Sequence, residues 1–566
     1  MKKIFFPILL MLCLSACKED LTDYFLRMDQ REAANDSLKK ENQKLEEKNE
    51  AQRKWNEAMA EMNNRIKLET DELQRKLDSL EATLVTVVEP KLHHIEFVTD
   101  DNPALPQNVT CEIIGDSVIE CWLPIMTVDK YLIPRFSFDG TLVTIDGMEA
   151  TSANTMFDFR TPVTLTVHTS EKSVNYLMYV HSLTGLPIMR INTVGGVPIT
   201  SKEYYLNAHM TFVEDVRTRA PGEVLEADLQ IKGRGNTTWH RWAKKPYRLK
   251  FFEKTSLFGE HKDKSWVLIA NHADKSALRN HTALYMGKIS NLDYTPSSHF
   301  VDLILNGRYD GTYEVCEKIK ISNHRVAVGD DGFLLEVDAR APNNPDSTYF
   351  YVNHMTFPIS IEDPDVVKND ANYLYAHNYV AMADAVLYSE NFLDPDKGWK
   401  AYFDMDSFVD WYLINEITHN TDATMVYSCF MHFKRGGKIT MGPIWDFDLA
   451  FGNSIHVKEG ERGPYNFWMK KSDWIIRMFK DPAFVARVKE RYDYFYDRKL
   501  DIMREIDETA SYLKRSTQEN ENRWHTFYEY VAPNEQIWGS YYNEVQSVKN
   551  WLNLRMDWLK EQFDKM

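Results

Sequence analysis

Residues 21–86 contain neither glycine nor proline and are rich in Glu, Lys, Leu, Gln and Asn. Nothing in such a run supplies a turn or a stop, so it predicts one long helix. A heptad-spaced row runs Leu38, Leu45, Gln52, Met59, Ile66, Leu73 and Leu80. A second row runs Asn42, Asn49, Asn56, Asn63, Thr70, Leu77 and Leu84. By spacing, the first row takes the d positions of a coiled coil and the second takes a. Repeated Asn at a lowers stability but favours parallel pairing of few strands. The expectation is a parallel homo-oligomer; a single solvated spacer helix fits the same composition. Either way, about 65 residues rising 1.5 Å each make a stalk on the order of 100 Å.

The stretch before the helix reads as an export signal. Lys2-Lys3 precede an apolar run from Ile4 to Leu14, followed by Ser15-Ala16-Cys17. That run is too short to span a bilayer and has the layout of a secretory signal peptide. Leu14-Ser15-Ala16-Cys17 resembles a bacterial lipobox, which implies cleavage before Cys17 and lipid on its thiol and amine. Lys18-Glu19-Asp20 is similar to the surface-export signal of Bacteroidota lipoproteins. The expected location is therefore outside the cytoplasm, anchored by lipid to a membrane, either the outer membrane or the cell surface. The 67 basic and 84 acidic residues give a net charge of −17. Such a surface repels phosphate backbones and argues against a nucleic-acid partner. No second long apolar run exists, which excludes a polytopic membrane protein.

Export also implies an oxidising setting. With Cys13 lost in the signal and Cys17 lipidated, Cys111, Cys121, Cys316 and Cys429 remain. Cys111 and Cys121 each lie five residues from Asp116, so a hairpin centred there would oppose them. A cross-strand disulfide and two separate thiols both stay open. No Cys-x-x-Cys or Cys/His cluster suggests zinc, and His240, His272, His281 and His299 show no ligand spacing.

The chain divides by pattern into a signal (1–16), an anchor and stalk (17–89), an all-β segment (90–187), a mixed α/β segment (188–455) and a helical segment (456–566). The all-β segment shows period-two alternation in short strands with turns at Asn102-Pro103, Gly115-Asp116, Asp139-Gly140 and Asp146-Gly147. This predicts a β-sandwich, and it resembles the immunoglobulin-like modules of Bacteroidota surface lipoproteins. The α/β segment alternates strand-like runs such as Ala227–Lys232 and Tyr247–Phe252 with helix-like runs such as Ala371–Ser389 and Met405–His419. The helical segment carries Trp524, Trp538, Trp551 and Trp558 and is expected to pack back onto the α/β segment.

Within the α/β segment, five stretches stand out. They are Ile231–Trp239 (IKGRGNTTW), Lys244–Phe251 (KKPYRLKF), and Ser265–Asn271 with Asp274-Lys275-Ser276 and Arg279-Asn280. Leu305-Asn306-Gly307 follows, with Gly311-Thr312-Tyr313 and Glu317-Lys318. Last come Asn415-Glu416, Asn420-Thr421-Asp422 and Met441–Gly452 (MGPIWDFDLAFG). Together these resemble the CotH family, the spore-coat-type atypical protein kinases, over roughly residues 190–560. The resemblance implies an atypical kinase fold that uses Mg2+ and transfers the γ-phosphoryl group of ATP to a protein Ser or Thr hydroxyl.

The residues carry that chemistry in part by themselves. Phosphoryl transfer needs metal ions on the phosphates, cations near developing charge and an acid to orient the nucleophile. Asp446 and Asp448 sit two apart; on an extended segment both would face a cleft, with Trp445 and Phe447 packed behind. Paired carboxylates suit Mg2+ beside phosphate oxygens. Asp422, in a loop after a helix, takes the catalytic position that the resemblance implies, and Asn420 a metal or phosphate ligand. Arg234 and Asn236 lie in a Gly-rich loop that lacks a Walker signature. Lys244, Lys245, Arg248 and Lys250 make a basic strand expected to face ATP, with Glu317 pairing one of its lysines. Lys245 and Lys250 are not distinguished as the phosphate contact. Glu336 and Asp338 repeat the i, i+2 spacing and fit either a metal site or structural ion pairs. Because ATP is scarce outside the cytoplasm, a second reading stands beside the kinase. In it, a non-catalytic surface lipoprotein binds a glycan, a nucleotide or a protein partner through the same cleft.

Overall fold

The computed structural model describes residues 20–81, 89–125, 127, 130–214, 224–458 and 461–566. The signal peptide and Cys17 lie outside the described residues. The chain forms two compact units, residues 1–88 and 89–566. In the first, Asp20–Glu81 is one unbroken helix of 62 residues. Its Ile66, Leu73 and Leu77 are exposed. No helix among the described residues is long and apolar enough to cross a membrane.

The second unit begins with three sheets around one apolar core. One has three strands, another has six and contains a parallel pair, Val118–Leu123 beside Ser173–Ser182, and a small one pairs Tyr131–Leu132 with Phe157–Asp158. Glu112 pairs with Glu120 and Ile114 with Val118, a hairpin centred on Asp116. Cys111 and Cys121 are joined there by a disulfide, with Cα atoms 4.4 Å apart. Cys316 and Cys429 are free and buried.

A closed seven-stranded barrel follows, ordered Ile188–Thr193, Leu206–Val213, Val224–Gly233, Tyr247–Thr255, Asp263–Ile269, Arg308–Glu317 and Ser298–Leu305. Alternation explains its filling: Tyr247, Leu249 and Phe251 point into the barrel core, with Leu229, Ile231, Trp266 and Leu268 from its neighbours. Beside the barrel stands a five-stranded sheet centred on Phe333–Val337, which pairs with Ile359–Asp363 on one side and Cys429–Phe433 on the other. Helices Ala371–Tyr388, Met405–Thr418, Pro482–Asp497, Lys499–Trp524 and Tyr541–Asp564 pack with this sheet in the largest apolar cluster.

Two buried ion pairs bind the C-terminal helices to that core. Arg555 meets Glu416 at 2.6 Å with both side chains fully buried. Glu416 also accepts the amides of Trp468, Met469 and Lys470. Arg491 holds Asp410 through two hydrogen bonds of 2.8 and 2.7 Å. Trp551 and Trp558 pack on the same cluster, Trp524 donates to the Asp310 carbonyl, and Trp538 stays partly exposed.

Candidate functional site

The five-stranded sheet and the barrel enclose a cavity of about 810 Å3. The sheet side delivers acids. Helix Met405–Thr418 stops at His419, which is buried in the left-handed conformation (φ 50°) and lies against Trp468 and Trp551. The chain then turns through Asn420 to Asp422. From the sheet's last strand, Thr440–Met441, the chain runs irregularly through Trp445, Asp446 and Asp448. Asp422, Asp446 and Asp448 all line the cavity.

The two aspartates are not brought together by strand alternation. Asp446 has φ 69° and Asp448 begins a turn, so period two does not operate here. Phe447 is fully buried as expected; Trp445 is half-buried, packs against two apolar clusters and also lines the cavity. Two buried asparagines fix the loop. The Asn420 carboxamide donates to the Asp446 carbonyl at 3.2 Å, and the Asn280 side-chain oxygen accepts from the Phe447 amide at 2.7 Å. Ser428 donates to the Asp446 carboxylate at 3.4 Å. Asn420 is itself buried and does not line the cavity, so its geometry is that of a brace for Asp446.

Crowding of like charges marks this wall. Burial, with Asp446 as the second cause, raises the Asp422 carboxyl to about 6; Arg340 and His456 oppose the shift. Asp448 is pushed well up by burial and then by Asp446 and Asp422. Glu336 is likewise raised well above the usual range by burial, then by Glu362 and Asp338. Glu336, Asp338 and Glu362 line the same cavity. Among the described residues, no group of three or more His, Cys, Asp or Glu is arranged to hold a metal ion by itself.

The barrel side supplies Arg234, Gly235 and Asn236. Gly235 has φ +84°, and a Cβ there would lie 2.1 Å from the Thr238 hydroxyl, so this turn needs glycine. Arg234 stacks over Trp445 at 5.6 Å, and the carboxylates of Asp446 and Asp448 partly offset the effect of its burial. Arg340, which the sequence did not single out, lines the cavity and stacks on Tyr427 at 3.9 Å.

The basic strand is dispersed, contrary to expectation. Arg248 and Lys250 alternate with the core-facing Tyr247, Leu249 and Phe251 and so project outside the barrel. Lys250 is exposed, and the half-buried Arg248 lies outside the cavity lining. Lys245 precedes the strand and donates to the carbonyls of Trp239 and Trp242. Lys244 is buried, bonded to the Thr312 carbonyl and to Asn520, with burial lowering it to about 7. Glu317 pairs with Arg325 at 3.3 Å, not with a strand lysine, and accepts from Tyr294 and Ser297.

A sequence model described as CotH kinase protein matches residues 230–559, more than half of the chain. No curated protein matches. Among solved structures, a DUF4623 family protein from Bacteroides eggerthii is similar at 9% identity and a TM-score of 0.14. The match covers 33% of this chain and 58% of that one. A candidate glycoside hydrolase from Bacteroides thetaiotaomicron is similar at 13% identity and a TM-score of 0.17, covering 51% and 88%. Likeness at that level carries no argument about fold or activity.

Proposed function

Because the chain belongs to the CotH kinase protein family, we propose that its acidic cavity binds Mg-ATP and transfers the γ-phosphoryl group to a Ser or Thr hydroxyl of a protein. The observation that carries this reading is the convergence of Asp422, Asp446, Asp448 and Arg234 on one cavity. Catalysis of this reaction is almost entirely positioning and charge compensation.

The donor set fits the implied ion. Mg2+ is usually held by one or two carboxylates plus substrate phosphates, and Asp446 and Asp448 are crowded acids without an adjacent ion-pair partner among the described residues. Bound there, the ion would offset charge on the phosphate oxygens. Arg234 supplies a fixed cation on the opposite wall. Asp422, with its affinity for a proton raised toward neutrality, orients the acceptor hydroxyl and takes its proton. Asn420 and Asn280 hold the Asp446 loop in place before substrate arrives.

The same reading places the protein outside the cytoplasm, held to a membrane by lipid on Cys17. Replacing Cys17 by Ala should then abolish detergent-phase partitioning; unchanged partitioning would contradict the anchor. The function is tested by incubating the full chain with Mg2+, γ-labelled ATP and a mixture of Ser/Thr proteins. Label on acceptor hydroxyls, falling at least about 100-fold in Asp422→Asn, is expected. Equal labelling by the variant would contradict the role of Asp422. Nucleotide binding without transfer in wild type would favour a binding lipoprotein instead.

A further inference from the structure

A second cavity, of about 320 Å3, opens where the sandwich, the barrel and helix Lys499–Trp524 meet. It is separate from the acidic cavity and shares no lining residue with it. Its size falls at the lower end of the range of about 300–1,000 Å3 for small-molecule sites.

Its charge runs opposite to that of the protein as a whole. Arg308 and Arg523 both reach it. Burial, and then the nearby Arg308, disfavours the charge of Arg523, and both arginines act on Tyr179. Neither is in an ion pair among the described residues, whereas Lys130, also in the lining, is neutralised by Glu519 at 2.5 Å. Arg308 is exposed at the mouth. Arg523 is half-buried, and its Nε is sequestered with no hydrogen-bond partner. Two like guanidinium groups held together, one with a buried unsatisfied donor, form an arrangement that an oxyanion completes.

The floor points to an organic ligand. His181 is 5% exposed, lines the cavity, and has an Nε2 with no partner. Its ring is stacked with Tyr179 at 6.0 Å and packs on Trp122 at 4.6 Å. Burial, aided by Lys130 and Arg190, lowers His181 to about 3, so it stays neutral and offers one nitrogen for a neutral hydrogen bond. An aromatic wall, a neutral polar nitrogen and a paired cation at the mouth suit a ring with hydroxyls and one anionic substituent. A bare inorganic anion would leave the floor and His181 unmet.

We propose that this cavity binds a small anionic ligand about one sugar ring in size. Its carboxylate or phosphate group meets Arg308 and Arg523, and its ring lies against Tyr179 and His181. Because the cavity joins three parts of the unit, its occupant would also brace the sandwich against the barrel.

Calorimetric titration of the full chain tests this with four probes: glucuronate, glucose 6-phosphate, glucose and inorganic phosphate. Saturable binding of glucuronate or glucose 6-phosphate is expected, and which of the two binds tells carboxylate from phosphate. Glucose and inorganic phosphate should bind at least tenfold more weakly. Arg308→Gln changes an exposed side chain and should keep the wild-type melting temperature while weakening the anionic sugar at least tenfold. Absent binding of both anionic sugars, equal binding of glucose or inorganic phosphate, or unchanged affinity in a folded Arg308→Gln variant would each overturn the proposal.

Discussion

The side-chain oxygen of Asn280 accepts a 2.7 Å hydrogen bond from the backbone amide of Phe447. Asn280 sits in helix Arg279–Lys288, outside the sheet that leads into the Asp446 loop. Its carboxamide in turn donates to Asn271, which donates to the buried Glu314. The acid loop is therefore anchored to the barrel half as well as to Asn420. Asn280→Ala leaves a buried amide unpaired, at a cost of about 1–3 kcal/mol. Its melting temperature should fall by several degrees, and Mg-ATP affinity should fall with it. Asn280→Asp, which keeps an acceptor, should retain more of both. Wild-type nucleotide affinity in Asn280→Ala would show that the loop needs no such anchor.

Asp422 gives a pH signature. Its folded value of about 6 exceeds the ordinary carboxylate value. The folded chain therefore holds that proton more tightly than the unfolded chain does. The group thus costs stability increasingly as pH rises from about 4 through about 6. Asparagine at 422 carries no such cost. Without metal, Asp422→Asn should melt a few degrees above wild type at pH 8, with the gap closing toward pH 4. Part of Asp422 still faces the cavity, so screening keeps the gain modest. A gap independent of pH would contradict the burial of Asp422 beside Asp446.

The Glu416–Arg555 pair predicts where the second unit is vulnerable. Arg555→Met strands a buried carboxylate, an effect of about 3–5 kcal/mol, although Glu416 keeps three amide donors. Thermal unfolding should shift down by more than about 5 °C. The double variant Glu416→Gln/Arg555→Met should recover part of the loss. A single variant as stable as wild type would mean that the C-terminal helices dock independently of this pair.

The N-terminal helix exposes Ile66 and Leu73 on one heptad row and Leu77 on the other, and burying such a seam takes a partner helix. A chain starting at Asp20 should sediment as a parallel oligomer, and Leu73→Lys with Leu77→Lys should return it to a monomer. A monomeric parent at micromolar concentration would leave a solvated spacer helix.

Legibility in the sequence followed the range of each signal. The long helix, the hairpin about Asp116 and the strand runs of the barrel rest on local periodicity, and the structure contains elements there. Asp422, Asp446 and Asp448 were legible as motif positions, yet their convergence depends on the left-handed Asp446, which no alternation rule anticipates. The basic strand misled because charge alone does not say which wall of a closed barrel faces a cavity. Alternation with Tyr247, Leu249 and Phe251 sends Arg248 and Lys250 outward. Arg340 and Glu362 were silent because single polar residues acquire meaning only when distant segments meet; Asn280 stood in a motif stretch, but its hold on the Phe447 amide joins segments far apart in the chain.

In the proposed function, Asp446 and Asp448 hold Mg2+ against the phosphates of a nucleotide. The most direct measurement is calorimetric binding of ATP to the full chain with and without Mg2+, in wild type and in Asp446→Asn. The substitution preserves shape, removes one charge and weakens a hard oxygen ligand. Wild type should bind ATP in a Mg2+-dependent manner, and Asp446→Asn should lose most of that dependence while remaining folded. Metal-dependent binding of equal strength in the two proteins, or none in wild type, would contradict the account.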